Sequence, residues 1–120
     1  MKHQCLSFMS DLQQKNLSDL EKWFTDESIV WIPPLDPLKG KRKIIILFRA
    51  IFSKYNQLNW QVQQVHQIED RRCIFHTESW GELKNGRAYK NSIVTDISFN
   101  DKGEIIDLSD YFKNTSDFSG

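Results

Sequence analysis

Residues 72–99 read RCIFHTESWGELKNGRAYKNSIVTDISF. Apolar and polar residues alternate on both sides of Asn85-Gly86, a dipeptide suited to a tight reversal because both residues tolerate positive φ. The stretch therefore reads as two antiparallel strands, 72–83 and 89–99, joined by a hairpin. Toward the C-terminus, Asn100-Asp101-Lys102-Gly103 makes another turn, and 105–113 is the last strand. Upstream, Trp60, Val62 and Val65 open a strand that turns near Glu69-Asp70-Arg71. Four strands joined by tight turns form a curved antiparallel sheet.

The N-terminal half is helical. Leu6, Met9 and Leu12 recur at helical spacing, which predicts a first helix. Ser18 and Glu21 have capping-box spacing, with Leu20, Trp23 and Phe24 following on one face, so a short second helix begins near residue 18. Residues 28–32 are a short strand stopped by Pro33-Pro34, and 35–40 a loop. Ile44, Leu47, Phe48, Ile51 and Tyr55 mark a long amphipathic helix. The Ile44-Ile45-Ile46 triplet alone also suits a strand, and the continued helical spacing to Tyr55 decides for helix. The fold class is thus α+β, with three helices covering a curved antiparallel sheet. The polar tail 114–120 is expected to fray.

A length of 120 residues fits a single domain, 1–120. Lys plus Arg total 16 and Asp plus Glu total 16, a balance that argues against a protein holding nucleic acid by a basic surface. Hydrophobic residues make up 39% and aromatics 12%, enough for a core. Cys5 and Cys73 lack CxxC spacing and read as free thiols in a reducing compartment. The start carries no secretory pattern. The most apolar run, 44–52, is broken by Arg49 and is far short of the ~20 residues that span a bilayer. A cytoplasmic protein without membrane contact is the expectation. The three His and two Cys show no metal-ligand spacing, and no phosphate loop or nucleophile elbow is present, so no metal or cofactor is expected.

The order of elements and three stretches resemble the SnoaL-like branch of the nuclear transport factor 2-like superfamily. They are Gly86-Arg87-Ala88-Tyr89-Lys90-Asn91-Ser92-Ile93, Gly103-Glu104-Ile105 and Asp110-Tyr111-Phe112, with Gly40 before the long helix also fitting. The resemblance implies a cone-shaped barrel and covers nearly the whole chain. The superfamily hosts isomerases, cyclases, epoxide hydrolases and non-catalytic binders, so the likeness is specific for fold and not for reaction. The pattern is most similar to limonene-epoxide-hydrolase-like enzymes, in which an Asp-Arg-Asp network with a Tyr and an Asn holds the attacking water. Asp110 falls on one network aspartate. Glu78 and Trp80 align with the Arg and Asp of the third strand, Val30 and Ile32 with the Tyr and Asn, and Lys113 stands where the family has Asp. Val and Ile hold no water.

Strand alternation then selects the concave face. With Asp110 inward, Ile106, Leu108 and Phe112 follow, as do Asn91, Ile93 and Thr95 on the neighbouring strand. Ile74, His76, Glu78 and Trp80 are placed inward on the third, and a slip of one residue would reverse any set. The expected cavity is apolar, with Asp110, Glu78 and His76 as catalytic candidates. Trp80, Asn91, Ile93, Thr95 and Leu108 contact an apolar small-molecule ligand, and Trp31 and Tyr55 close the mouth. A carboxyl in apolar surroundings has a raised pKa, and a second nearby raises one further, which suits acid–base chemistry near neutral pH. An unperturbed imidazole changes charge near that range, which makes His76 a candidate partner. Asn91 suits a carbonyl or enolate oxygen, and Trp80 a planar ring.

Each residue also has a structural reading. Asp110 can pair with Arg87 or Lys90, Asn91 can satisfy backbone, and Trp31, Trp60 and Trp80 can be core or interface aromatics. The basic run Lys39, Lys41, Arg42, Lys43 could meet an anion at the start of the long helix, although a solvated face is the better account of it. The functional expectation is a cofactor-free cyclase, isomerase or epoxide-hydrolase-type enzyme, with a non-catalytic binding or dimerisation domain as the alternative. Surplus apolar residues such as Phe75, Ile97 and Tyr111 predict a homodimer packed through the outer sheet face.

Overall fold

In the computed structural model, residues 2–115 are described. The chain runs α1 (Lys2–Gln14), α2 (Leu17–Glu21), β1 (Phe24–Trp31), β2 (Leu38–Lys39), α3 (Lys41–Ser53), β3 (Tyr55–Glu69), β4 (Arg72–Leu83), β5 (Ala88–Phe99) and β6 (Ile105–Phe112). The six strands form one curved, unclosed sheet in the order β2-β1-β6-β5-β4-β3. Every neighbouring pair is antiparallel except β1 and β6, which run parallel. Consecutive hairpins account for β3 to β6. The parallel addition of β1 to the last strand is a long-range pairing that local turn signals do not encode.

α1 buries Cys5, Phe8, Met9 and Leu12, a stripe at i, i+3, i+4 and i+7. Leu6, expected on that face, is exposed instead, because it sits one residue round from Cys5. Gln13 fastens this helix to the sheet: its Oε1 accepts from the Trp60 N–H at 2.8 Å and its Nε2 donates to Asn59 Oδ1 at 3.2 Å. α2 is capped by Asn16, whose Oδ1 accepts from the N–H groups of Ser18 and Asp19, and not by the Ser18 box. Phe24, read with that helix, opens β1.

α3 settles the Ile44-Ile45-Ile46 ambiguity. A strand would turn Ile44 and Ile46 to one face. Here Ile44 is fully buried with Leu47 and Phe48, while Ile46 is 54% exposed. The helix ends at Ser53, and Tyr55 belongs to β3. At the start of β3 the two strands approach so closely that a Cβ on Gly81 would lie 2.0 Å from the Gln57 carbonyl oxygen. Only glycine fits there. The turn after β4 is Lys84-Asn85-Gly86, with Gly86 at φ 87° and the Leu83 N–H donating to Arg87 O at 2.9 Å. Asn85 keeps a negative φ, so the reversal is a three-residue loop with a left-handed glycine.

The core lies between the concave face and the helices. Phe8, Phe24, Phe75, Phe99, Ile97 and Ile105 are among its fully buried side chains. Burying each contributes about 1.5–3 kcal/mol. Phe75 and Ile97 are thus core residues and not part of an outer seam, since they share the alternation of Thr95 and Asp110. Tyr111 does stand outside, 58% exposed. Cys5 and Cys73 are free, buried thiols that interact with each other between α1 and β4. Among the described residues no helix is long and apolar enough to cross a membrane. The tail expected from residue 114 falls mostly outside the described residues.

Candidate functional site

Alternation on β5 and β6 carries side chains under the helices. On β5, Asn91, Ile93, Thr95 and Ile97 are all buried; on β6, Leu108 and Asp110 turn the same way. Thr95 sits opposite Asp110 across the β5–β6 pair and opposite Phe75 across the β4–β5 pair. That double registration fixes the inward residues of β4 as Cys73, Phe75, Thr77 and Ser79, all buried.

The placement of His76, Glu78 and Trp80 is therefore corrected by one residue. All three lie on the outer face. His76 is exposed, Trp80 is 43% exposed, and Glu78 accepts hydrogen bonds from Ser92 Oγ at 2.9 and 2.8 Å on that same side. Ile74 turns outward with them, and Ile106 is exposed on β6. Two carboxyls do not meet in the cavity, so the paired-carboxylate arrangement does not form.

A cavity of about 210 Å3 opens between α3, the segment after β1 and the sheet. Its walls include Phe48, Ile51, Leu58, Trp60, Tyr89 and Phe112. Tyr55 lines it, with its ring edge-on to Tyr89 at 5.2 Å. Ile93 lines it too. Trp31 does not: the last residue of β1 points away and is 44% exposed, while Ile32, Pro33 and Pro34 form that wall. An inner chamber of about 30 Å3 adjoins the cavity and is lined by Thr77, Thr95 and Leu108 among others. Asp110 belongs to both spaces.

The electrostatics of Asp110 follow from this position. Burial in apolar surroundings disfavours its anion and pushes its pKa up to about 6. A hydrogen bond from Thr95 Oγ1 to Asp110 Oδ1, 2.6 Å long, acts in the opposite direction by stabilising the anion. Burial wins. The partner of Asp110 is thus a hydroxyl on the next strand, and not the cation of Arg87 or Lys90. Lys54 lines the cavity on the α3 side.

Asn91 is inward but has another task. Its Nδ2 donates to the Asn114 carbonyl at 2.8 Å and its Oδ1 accepts from the Asn114 N–H at 3.0 Å, clamping the chain just past β6. The basic run is a solvated face: Lys39 pairs with Glu27 at 3.3 Å. Among the described residues no group of three or more His, Cys, Asp or Glu could hold a metal ion. Sequence reading did not select Thr77, Phe48, Leu58 or Tyr89 as site residues. Tyr89 stands in the quoted Gly86–Ile93 stretch and Phe48 in the helical stripe; Thr77 has no sequence signal beyond strand alternation.

Solved structures share this architecture. An NTF2-like protein of unknown function from Burkholderia pseudomallei superposes with a TM-score of 0.86 at 12% identity, over 98% of this chain and 92% of that one. SalBIII, an epoxide hydrolase/cyclase-like enzyme with a role in pyran ring formation in the polyether salinomycin, gives 0.84 at 11% identity, over 95% and 91%. An LEH-like epoxide hydrolase from M. tuberculosis gives 0.78 at 13% identity, over 92% and 80%. At such identities these likenesses establish the fold alone. No curated protein sequence matches the chain. The SnoaL-like domain pattern matches residues 6–108, which span α1 to the middle of β6, and the chain therefore belongs to the SnoaL-like domain family.

Proposed function

We propose that the protein is a cofactor-free enzyme that moves a proton on a small apolar metabolite held in the cavity, with Asp110 as the proton carrier. The observation that carries this reading is Asp110 itself, a carboxyl in an apolar cavity whose pKa is pushed up to about 6. A group titrating there is mostly anionic at pH 7 and accepts a proton, yet holds it weakly enough to return it. One carboxyl serving first as base and then as acid suits an isomerisation or ring closure, where proton uptake and release balance within one substrate. The cyclase-like and hydrolase-like activities of the structural neighbours support chemistry of this class without fixing the reaction.

The size of the cavity favours a second reading. About 210 Å3 falls below the roughly 300 Å3 at which drug-sized pockets begin. A binding domain that traps a small apolar ligand without turning it over also fits. The two separate on one experiment. Wild type and Asp110→Asn are incubated with a panel of small apolar ketones, hydroxy-ketones and epoxides, and products are followed by chromatography. Conversion by wild type that falls about a hundredfold or more in Asp110→Asn, with the fold intact, establishes the enzyme. Ligand binding without conversion by either protein establishes the trap.

A further inference from the structure

The inner chamber holds a feature that proton transfer by Asp110 does not use. Thr77 lines it, is 2% exposed, and among the described residues its Oγ1 has no hydrogen-bond partner. An unpaired buried hydroxyl costs about 1–3 kcal/mol. Valine would fill the same strand position without that cost. The other polar lining is Thr95 and Asp110. Thr95 spends its hydroxyl hydrogen on Asp110 Oδ1, and among the described residues Asp110 Oδ2 takes no hydrogen bond. A donor and an acceptor therefore border a chamber of about 30 Å3, close to the volume of one water molecule, and the rest of its wall is hydrocarbon and aromatic.

The chamber and the larger cavity share Leu12, Ile32, Phe48, Trp60, Ile93 and Asp110, so the two spaces lie side by side. The larger space takes an apolar frame. A dry cavity of about 150 Å3 accepts benzene. About 210 Å3 thus suits a single ring with a few further heavy atoms.

We propose that the chamber is a one-oxygen site, in which the Thr77 hydroxyl donates to an oxygen lying against the Asp110 carboxyl. In the free protein the oxygen is that of a water molecule. In the complex it is the oxygen of a single-ring ligand whose frame fills the larger cavity: an alcohol oxygen donates to the Asp110 carboxylate, and a ketone oxygen accepts from the carboxyl in its protonated form. The proposal rests on reading the cavity as a ligand site and names the substrate class: a compact, neutral, singly oxygenated ring compound. It makes Thr77 a positioning residue that brings the ligand's oxygen to the proton carrier.

The test compares acetophenone with α-methylstyrene, which has the same shape but a CH2 group in place of the oxygen. Binding of both is measured by calorimetry at pH 5, where the Asp110 carboxyl is mostly protonated and donates to a ketone oxygen, to wild type, Thr77→Val, Thr77→Ser and Asp110→Asn. Wild type is expected to prefer acetophenone by about fivefold, the worth of one net hydrogen bond. Thr77→Val should lose most of the preference, with α-methylstyrene affinity unchanged, and Thr77→Ser should restore it. Asp110→Asn, whose Nδ2 still donates to a ketone oxygen, should keep most of it. A preference undiminished in Thr77→Val overturns the proposal, and failure of wild type to bind either probe overturns it together with the ligand-site reading. Loss of the preference in Thr77→Val, with conversion by Asp110→Asn undiminished, upholds the oxygen site while sinking Asp110 as proton carrier. The water is read separately: Thr77→Val without probe should melt at a lower temperature, and a higher one shows that the hydroxyl had nothing to lose.

Discussion

Thr95 Oγ1 donates a 2.6 Å hydrogen bond to Asp110 Oδ1 across the β5–β6 pair, beneath the helices. The bond joins the proton-carrying candidate to the next strand and opposes the effect of burial on its pKa. Removing it should leave burial unopposed. In Thr95→Val the pKa of Asp110 should rise above its value of about 6, and any acidic limb of a pH–rate profile should move up with it. Carboxyl carbon NMR of the two proteins checks the direction; a fall in Thr95→Val would contradict it.

Asp110 also ties stability to pH, with a definite sign. Its folded pKa of about 6 lies above the ordinary 3.8, so between these values the folded chain holds a proton that the unfolded chain has lost. Its stabilising contribution is full below about pH 4 and is lost as pH rises through 6. The loss amounts to about 3 kcal/mol at most. Asp110→Asn should remove this dependence and melt above wild type at pH 8, with the gap closing toward pH 4. Thermal melts across that range would show no such convergence if the carboxylate were well solvated.

Outer-face residues should be dispensable for any reaction in the cavity. Glu78→Gln and His76→Ala are expected to leave turnover within about twofold and stability within about 1 kcal/mol, the range for exposed polar contacts. A large loss of turnover in Glu78→Gln would place chemistry on the wrong side of the sheet.

Gly81→Ala tests the packing of β3 on β4. Its Cβ would meet the Gln57 carbonyl at 2.0 Å, a backbone atom that cannot swing away. Destabilisation of about 2 kcal/mol or more is expected in urea unfolding, against a fraction of that for Gly86→Ala, where the cost is φ alone because the Cβ meets open space.

The hairpin alternation of 72–99 could be read directly, because turn residues and period-two patterning are local, whereas Asp110 is singled out by the family resemblance of Asp110-Tyr111-Phe112. The inward face of β4 could not. Cys73, Phe75, Thr77 and Ser79 form one plausible face, and Ile74, His76, Glu78 and Trp80 another. Only the pairing of Phe75 with Thr95, and of Thr95 with Asp110, selects between them. The ionisable set looked chemically richer and belongs to the outside. Thr77 was hidden for the same reason, since a hydroxyl becomes conspicuous only when its surroundings offer it no partner.

The parallel pairing of β1 with β6 bears on how the chain comes to be folded at all. Phe24 lies beside Ile105, and Val30 beside Leu108, so the sheet is stitched together from its earliest and latest strands. During synthesis β1 emerges long before its partner exists, and until β6 arrives both β1 and β5 present open edges. Closing that gap is a non-local event with a large loop-entropy cost, which slows folding relative to the hairpins. The wall bearing Asp110 is therefore the last part of the cavity to be built, and a nascent chain stalled before residue 105 would have most of the aromatic lining but neither Phe112 nor the carboxyl.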